Sequence, residues 1–381
     1  MRVMQDRSVT VQVKAFSCVN TPSAPATGDG KRSRSEEELF VLPASSVCRE
    51  PKAMHVSGFA GVVRSVSPGV TGVLPGQRVF GMIPFDGAQL LDSPAEITLS
   101  ESEVAPLLAQ VSFDTAASVV RNAVKAYTAL SHLGRLSRDD TVMITGGLTP
   151  FAITCAQLAK QWGARVLLMT HEGSGSRAEK ELLEKDGVRD CFDCLLDLSA
   201  GMNLLNQVKK ETGGQGLQLI VDDWKAAWSP SFHDLVCVSG VGCRIVTTRF
   251  NLQIPESVSR QLFLKCASVS YLFEHVWTLS GHARGKYLHM LADIDSKLER
   301  KILSSNSPLT NGISQPFYYG AVFGNHALKL VAFVCLHVGV SSYESEECCT
   351  EIFNRACTRD PRKSGPVECA GEDGESGQSR P

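Results

Sequence analysis

The sequence has no excess of charge of one sign: 38 lysines and arginines stand against 40 aspartates and glutamates, for a net charge of -2. Binding to a phosphate backbone is electrostatic first, and no basic stripe gathers on any segment, so nucleic acid is not an expected partner. An uninterrupted apolar run long enough for a bilayer is also missing. The nearest, residues 317–340, carries Asn325, His326, Lys329 and His337 through its centre, where hydrocarbon penalises them. No membrane partner is expected. No stretch at the start combines a basic end, an apolar run and a small-residue cleavage site, and the 13 cysteines are odd in number and scattered. These absences predict a reducing, cytoplasmic setting. Metal-ligand spacing is lacking as well. Cys191 and Cys194 have no second pair to complete a zinc tetrad, and the adjacent Cys348 and Cys349 have no histidine at ligand spacing, so no metal is expected.

What is present is ordinary globular patterning, with enough chain for two domains. Residues 9–15 alternate as a half-buried strand does. Residues 21–34 are rich in Ser, Pro, Gly and Ala and read as a loop or disordered insert, and residues 35–38 form a charge cluster that reads as a solvated helix start or flexible arm. From His55 onward, short apolar runs are broken by Gly and Pro-Gly turns. Such runs predict a small, strongly curved β domain, best fitted by a partly open barrel.

The pattern changes at Asp114, read as the acidic N-cap of a helix that is followed by a second helical run over residues 123–133. Strands are then expected at 141–145, 164–169, 191–196, 217–222 and 243–248, with helices at 151–162, 177–185 and 202–211 between them. Strands alternating with helices of this length pair in parallel through right-handed crossovers. The fold class is therefore α/β, a Rossmann doubly wound parallel sheet joined to a smaller β-barrel domain. The expected division is 1–113 for the barrel, with its insert near 21–37, 114–303 for the Rossmann domain, and 304–381 for a divergent, largely disordered tail.

In a doubly wound sheet the ligand lies beyond the carboxyl ends of the strands, where the first strand turns into its helix and unpaired N–H groups face a pyrophosphate. That turn is Gly146, Gly147, Leu148, Thr149, Pro150 and Phe151, followed by Ala152. The two glycines allow close backbone approach. Pro150 removes a donor yet is tolerated in a first helical turn, and Ala152 adds a methyl where helix and strand pack. Past the second strand, Thr170, Ser174 and Arg177 suit a phosphorylated ribose, whereas Glu172 suits a free hydroxyl. Asp222, closing the strand over 217–222, joins these as a cofactor-binding candidate. An ordinary polar loop is the competing reading of the segment after Thr170.

Several stretches resemble the zinc-independent quinone oxidoreductases related to zeta-crystallin, within the medium-chain dehydrogenase/reductase superfamily. They are Gly58-Phe-Ala-Gly-Val-Val, residues 70–79, Ala126-Tyr-Thr-Ala-Leu, Ala156-Gln-Leu-Ala, Glu211-Thr-Gly-Gly-Gln-Gly-Leu, Val241-Gly-Cys-Arg-Ile-Val-Thr-Thr, and Trp277-Thr-Leu-Ser with Gly285-Lys-Tyr-Leu. Together they span about residues 11–303. The resemblance implies a GroES-like barrel domain, NADPH as hydride donor, quinones or enones as acceptors, and a homodimer through a strand edge near 267–273. It also implies a substrate-side role for Asn20, which matches an asparagine of the family's cleft.

Departures from the family leave three readings open. Leu148, Thr149, Pro150 and Ala152 stand where the family has glycine or small residues, and Lys125 replaces a threonine near the nicotinamide. As a candidate catalytic residue, Lys125 could contact phosphate or carbonyl, or could fill the site. The chain also stops matching near Ser304, before the segments that complete the family's barrel. An NADPH-dependent reductase, a catalytically silent binding or scaffold protein, and an incomplete isoform each remain compatible with these residues.

Overall fold

Two sheets organise the protein, one antiparallel and one parallel, and helix α1 (Phe113–Tyr127) runs between them. The structure, a computed structural model, describes residues 7–20, 39–43, 54–84, 96–170, 183–184, 188–198, 203–224, 229–279 and 285–304. All of these belong to one unit, 1–321, while a second unit, 322–381, lies wholly outside the described residues. So do the loop at 21–34, the charge cluster at 35–38, nearly all of the helix at 177–185, the apolar run at 317–340, and Ser174 and Arg177.

The antiparallel sheet is built on β1 (Ser8–Asn20) and β3 (Met54–Val66), with β2 (Leu39–Pro43), β4 (Arg78–Met82), β5 (Glu96–Ser100) and β6 (Ala105–Pro106) around them. Its path is β2-β1-β3-β4-β6, and β5 pairs β1. The first part of β1 takes β5 and the later part takes β2 along one edge, while β3 runs the length of the other. Three register shifts between β1 and β3 bend this pair, as bulges do. Val9, Val11 and Val13 alternate inward and pack with Val63, Val79, Ile97 and Leu99, which is the period-2 burial expected of a sheet with one dry face. Strand β1 extends five residues past the expected 9–15, and β2 was not anticipated.

The parallel sheet contains β7 (Thr141–Ile144), β8 (Arg165–Thr170), β9 (Cys194–Asp197), β10 (Leu217–Asp222), β11 (Ser239–Thr247) and β12 (Ser268–Tyr271). Its order is β12-β11-β10-β7-β8-β9, the doubly wound arrangement in which chain order reverses between β7 and β10. Cys191 closes a short 3-10 turn rather than opening a strand. Its thiol donates to the Val188 carbonyl at 2.9 Å, and burial pushes it up to about 12.

Two boundaries at α1 differ from expectation. Ser112, extended at φ -70° and ψ 150°, is the N-cap, its hydroxyl accepting from the Thr115 N–H at 3.1 Å. Asp114 lies in the first turn, where a carboxylate favours the helix dipole without capping it. The two expected helices are continuous, α1 passing into a wider π-type turn over Thr128–Leu133. The helix reaches the antiparallel sheet at Gly58, where a Cβ would fall 2.5 Å from Val120 and 2.7 Å from the Ala117 carbonyl. That glycine is required by close approach.

Candidate active site

Helix α2 (Pro150–Gln161) follows β7 across the turn Gly146 to Thr149. Gly146 and Gly147 have φ of +99° and +68°, backbone that side-chain-bearing residues seldom adopt. Thr149 is the N-cap of α2, and its hydroxyl accepts from the Ala152 N–H at 3.2 Å while its carbonyl accepts from the Ile153 N–H at 3.0 Å. Pro150 at the first helical position has no N–H. The Phe151 N–H is left as the first-turn donor that no protein group takes among the described residues. Leu148 packs its side chain toward the core, and the Phe151 ring is buried.

Across the turn stand two consecutive carboxylates at the end of β10, with different partners. Asp222 is fully buried. It takes the Arg249 guanidinium at 2.6 Å and 3.2 Å, the Thr247 hydroxyl at 2.7 Å and the Thr145 hydroxyl at 3.4 Å. Its acceptor capacity is spent tying the ends of β7, β10 and β11 together. Asp223, also fully buried, holds the Lys125 ammonium at 3.0 Å. Its own N–H donates to the Thr145 hydroxyl at 3.0 Å.

Lys125 comes from α1 and is 4% exposed. Its ammonium lies 4.1 Å from the centre of the Phe151 ring, within the range of cation–π attraction. One helical turn earlier, Arg121 pairs with Glu274 at 2.5 Å. Burial works against charge on Lys125, but the carboxylates of Asp223 and then Glu274 outweigh it and raise its ammonium above the ordinary lysine range. Burial likewise opposes the Glu274 carboxylate, yet Lys125 and Arg121 hold it well below the usual glutamate value. Cys155, buried in α2, is pushed well up by burial, with the charge of Asp223 adding to it. It is a protonated packing group, not a thiolate.

The structure thus brings Lys125, Gly146, Gly147, Phe151 and the β10 terminus to the point where chain order reverses, the place at which open α/β sheets bind ligands. Thr170 closes β8 at the same end of the sheet. Asn20 ends β1 in the antiparallel sheet, opposite Met54. Sequence reading missed Asp223, Arg121, Glu274 and Arg249. A lysine on an otherwise apolar helix face demands a buried counter-ion, and that was the available signal for Asp223.

Among known proteins, the chain is 32% identical over 328 residues to Quinone oxidoreductase-like protein 1 of Mus musculus, covering 81% of this chain and 86% of that one. The chain belongs to the quinone oxidoreductase-like branch of the medium-chain dehydrogenase/reductase superfamily. An alcohol dehydrogenase superfamily protein from Novosphingobium aromaticivorans superposes with a TM-score of 0.56 at 18% identity, covering 78% of this chain and 80% of that one. The CurK enoyl reductase superposes with a TM-score of 0.55 at 16% identity, covering 78% and 81%. At those identities the likeness is one of fold. No protein-family model matches the chain. Fold and family are those of oxidoreductases. In this branch, the Gly146–Gly147 turn fits the pyrophosphate of a dinucleotide in its backbone, because it is bare of side chains and leads into a helix N-terminus. The supply of first-turn donors is thin, with Pro150 lacking one and Thr149 occupying another. Among the described residues no helix is long and apolar enough to cross a membrane.

Proposed function

We propose that the protein is a zinc-independent, NADPH-dependent oxidoreductase that reduces quinones or related conjugated carbonyls. The observation that carries the reading is the pair Gly146 and Gly147, both in left-handed backbone, at the end of β7 where the doubly wound sheet reverses order. A nicotinamide cofactor with its phosphates held at this turn would supply a hydride to an electron-poor carbon of the acceptor. The bare turn accepts the phosphates, with the Phe151 N–H as donor, and Thr170 at the end of β8, with Ser174 and Arg177, reads the ribose. Asp222 supports this site from behind by fixing three strand ends. Lys125, kept charged by its carboxylates, sets a fixed positive charge beside the crevice where the carbonyl oxygen gains negative charge, and Asn20 contributes from the substrate side. The acceptor is a small molecule, and the setting is cytoplasmic. Titration of the full chain with NADPH and with NADH, followed by cofactor fluorescence, tests the reading. Saturable binding with NADPH the tighter ligand is expected, and no binding of either cofactor overturns it.

A second reading, a catalytically silent binding or scaffold protein, is favoured by Pro150 and the Thr149 cap, which remove two first-turn donors. On that reading the wild type ignores both cofactors and the double change Pro150→Gly with Ala152→Gly creates binding.

A further inference from the structure

The side chain of Asp223 lies against the bare face of the glycine turn. A Cβ placed on Gly146 would fall 3.2 Å from the Asp223 Cβ and 3.4 Å from its Oδ2. The other carboxylate oxygen takes the Lys125 ammonium at 3.0 Å, and that ammonium in turn lies over the ring of Phe151, the residue carrying the remaining first-turn N–H. A helix N-terminus attracts anions through its unpaired donors and dipole. Here the protein sets an anion of its own against Gly146, in the turn that leads to that N-terminus, and buries the counter-ion with it. We infer that Asp223 is a built-in competitor for the anion site of the Gly146–Gly147 turn, holding down its affinity for the phosphates of a dinucleotide.

The arrangement has a consequence for Lys125. Removing one member of a buried ion pair ordinarily leaves the other charge stranded, but Glu274 is a second carboxylate whose charge also favours the protonated lysine. With Asp223 neutral, the lysine's charge faces the turn without its nearest opposing carboxylate, and the site becomes net attractive to phosphate. With the lysine charged, neutralising a buried acid strengthens ligand binding.

This inference rests on the reading of the turn as a dinucleotide site. Asp223→Asn keeps the shape of the side chain and leaves an oxygen for Lys125. In the full chain it is expected to bind NADPH at least about tenfold tighter than wild type, the scale of removing one unit charge roughly 10 Å from a phosphate at an effective dielectric of about 20. The gain should largely persist as salt is raised, because a buried charge is screened far less than an exposed one. Cofactor fluorescence and the NADPH-induced rise in melting temperature both read it. Asp223→Ser, a smaller neutral side chain, repeats the measurement where the asparagine variant does not fold. A folded neutral variant that binds no tighter than a binding wild type overturns this inference alone. If neither wild type nor any folded neutral variant binds, this inference and the dinucleotide reading fall together. Binding that appears only in the neutral variants supports the competitor role.

Discussion

Asp222 and Asp223 are adjacent in the chain, yet their carboxylates do different work because successive residues at a strand end point to opposite faces. Asp222 meets a fork of guanidinium nitrogens from Arg249, at 2.6 Å and 3.2 Å, in a fully buried position. The sequence placed Asp222 at the right end of the right strand, but it carried no sign of which donors would consume the carboxylate. Arg249 follows β11, a strand distant in the chain, and only the sheet order brings it there. Arg249→Leu strands a buried carboxylate and should cost about 3–5 kcal/mol of stability. Urea denaturation checks this, and a midpoint equal to wild type would show that Asp222 is held by its threonine partners alone. Arg249→Lys keeps the charge but not the two-pronged geometry, so its midpoint should fall between the two.

At the level of the element, α2 shows a trade between a stable helix and an open anion site. Its apolar spacing and its stop before Gly163 were readable, since burial of Ile153, Ala156 and Leu158 follows the helical repeat. Thr149 before Pro150 is a start signal too, one the expected helix at 151–162 did not use. What could not be read was that the threonine hydroxyl would turn inward to take the Ala152 N–H, the donor a phosphate would use. Thr149→Ala should therefore act in opposite directions on two measurements. Loss of the N-cap should lower stability by about 1 kcal/mol, while the freed N–H should tighten NADPH binding. Denaturation and fluorescence titration on the same preparation give the two signs, and a parallel loss of both would mean that the cap organises the turn instead of competing for it. The boundary of α1 teaches a similar lesson. Ser112 and Asp114 are both competent caps, and the extended backbone at Ser112 decided between them.

For the whole molecule, alternation of strands and helices made the parallel sheet legible, because each crossover is local and handed. The antiparallel sheet was less so: β2 and β5 share one edge of β1 from distant parts of the chain, and no period in the sequence encodes that choice. The sheet order also leaves β12 at the end of the parallel sheet, with Tyr271 at 55% and Phe263 at 81% exposure nearby. An exposed edge of this kind invites pairing, and we propose that the homodimer implied by the family resemblance uses it. Tyr271→Lys should shift such a dimer to monomer in light scattering, whereas a wild type that is already monomeric removes the proposal.

The two sheets are joined through α1, whose Arg121 and Lys125 reach Glu274 and Asp223 in the parallel half. The pH dependence of stability follows from this joint. Glu274 has its folded value below the ordinary 4.5, so its contribution is present above pH 4.5 and is lost as the pH falls toward the folded value. Lys125 has its folded value above the ordinary 10.5, so its contribution is present below pH 10.5 and is lost only as the pH rises through the folded value. Between those limits both ion pairs hold the joint. Glu274→Gln should be less stable than wild type at neutral pH, because Arg121 and Lys125 lose a shared counter-charge. Below pH 4.5 the unfolded chain takes up a proton that the folded Glu274 resists, so the wild-type advantage shrinks and the two stability curves should converge as the pH falls toward the folded value. Denaturation midpoints measured from neutral pH downward decide it: a gap that stays constant into acid would assign the loss to packing around Glu274 and detach the acid limb from the α1 joint.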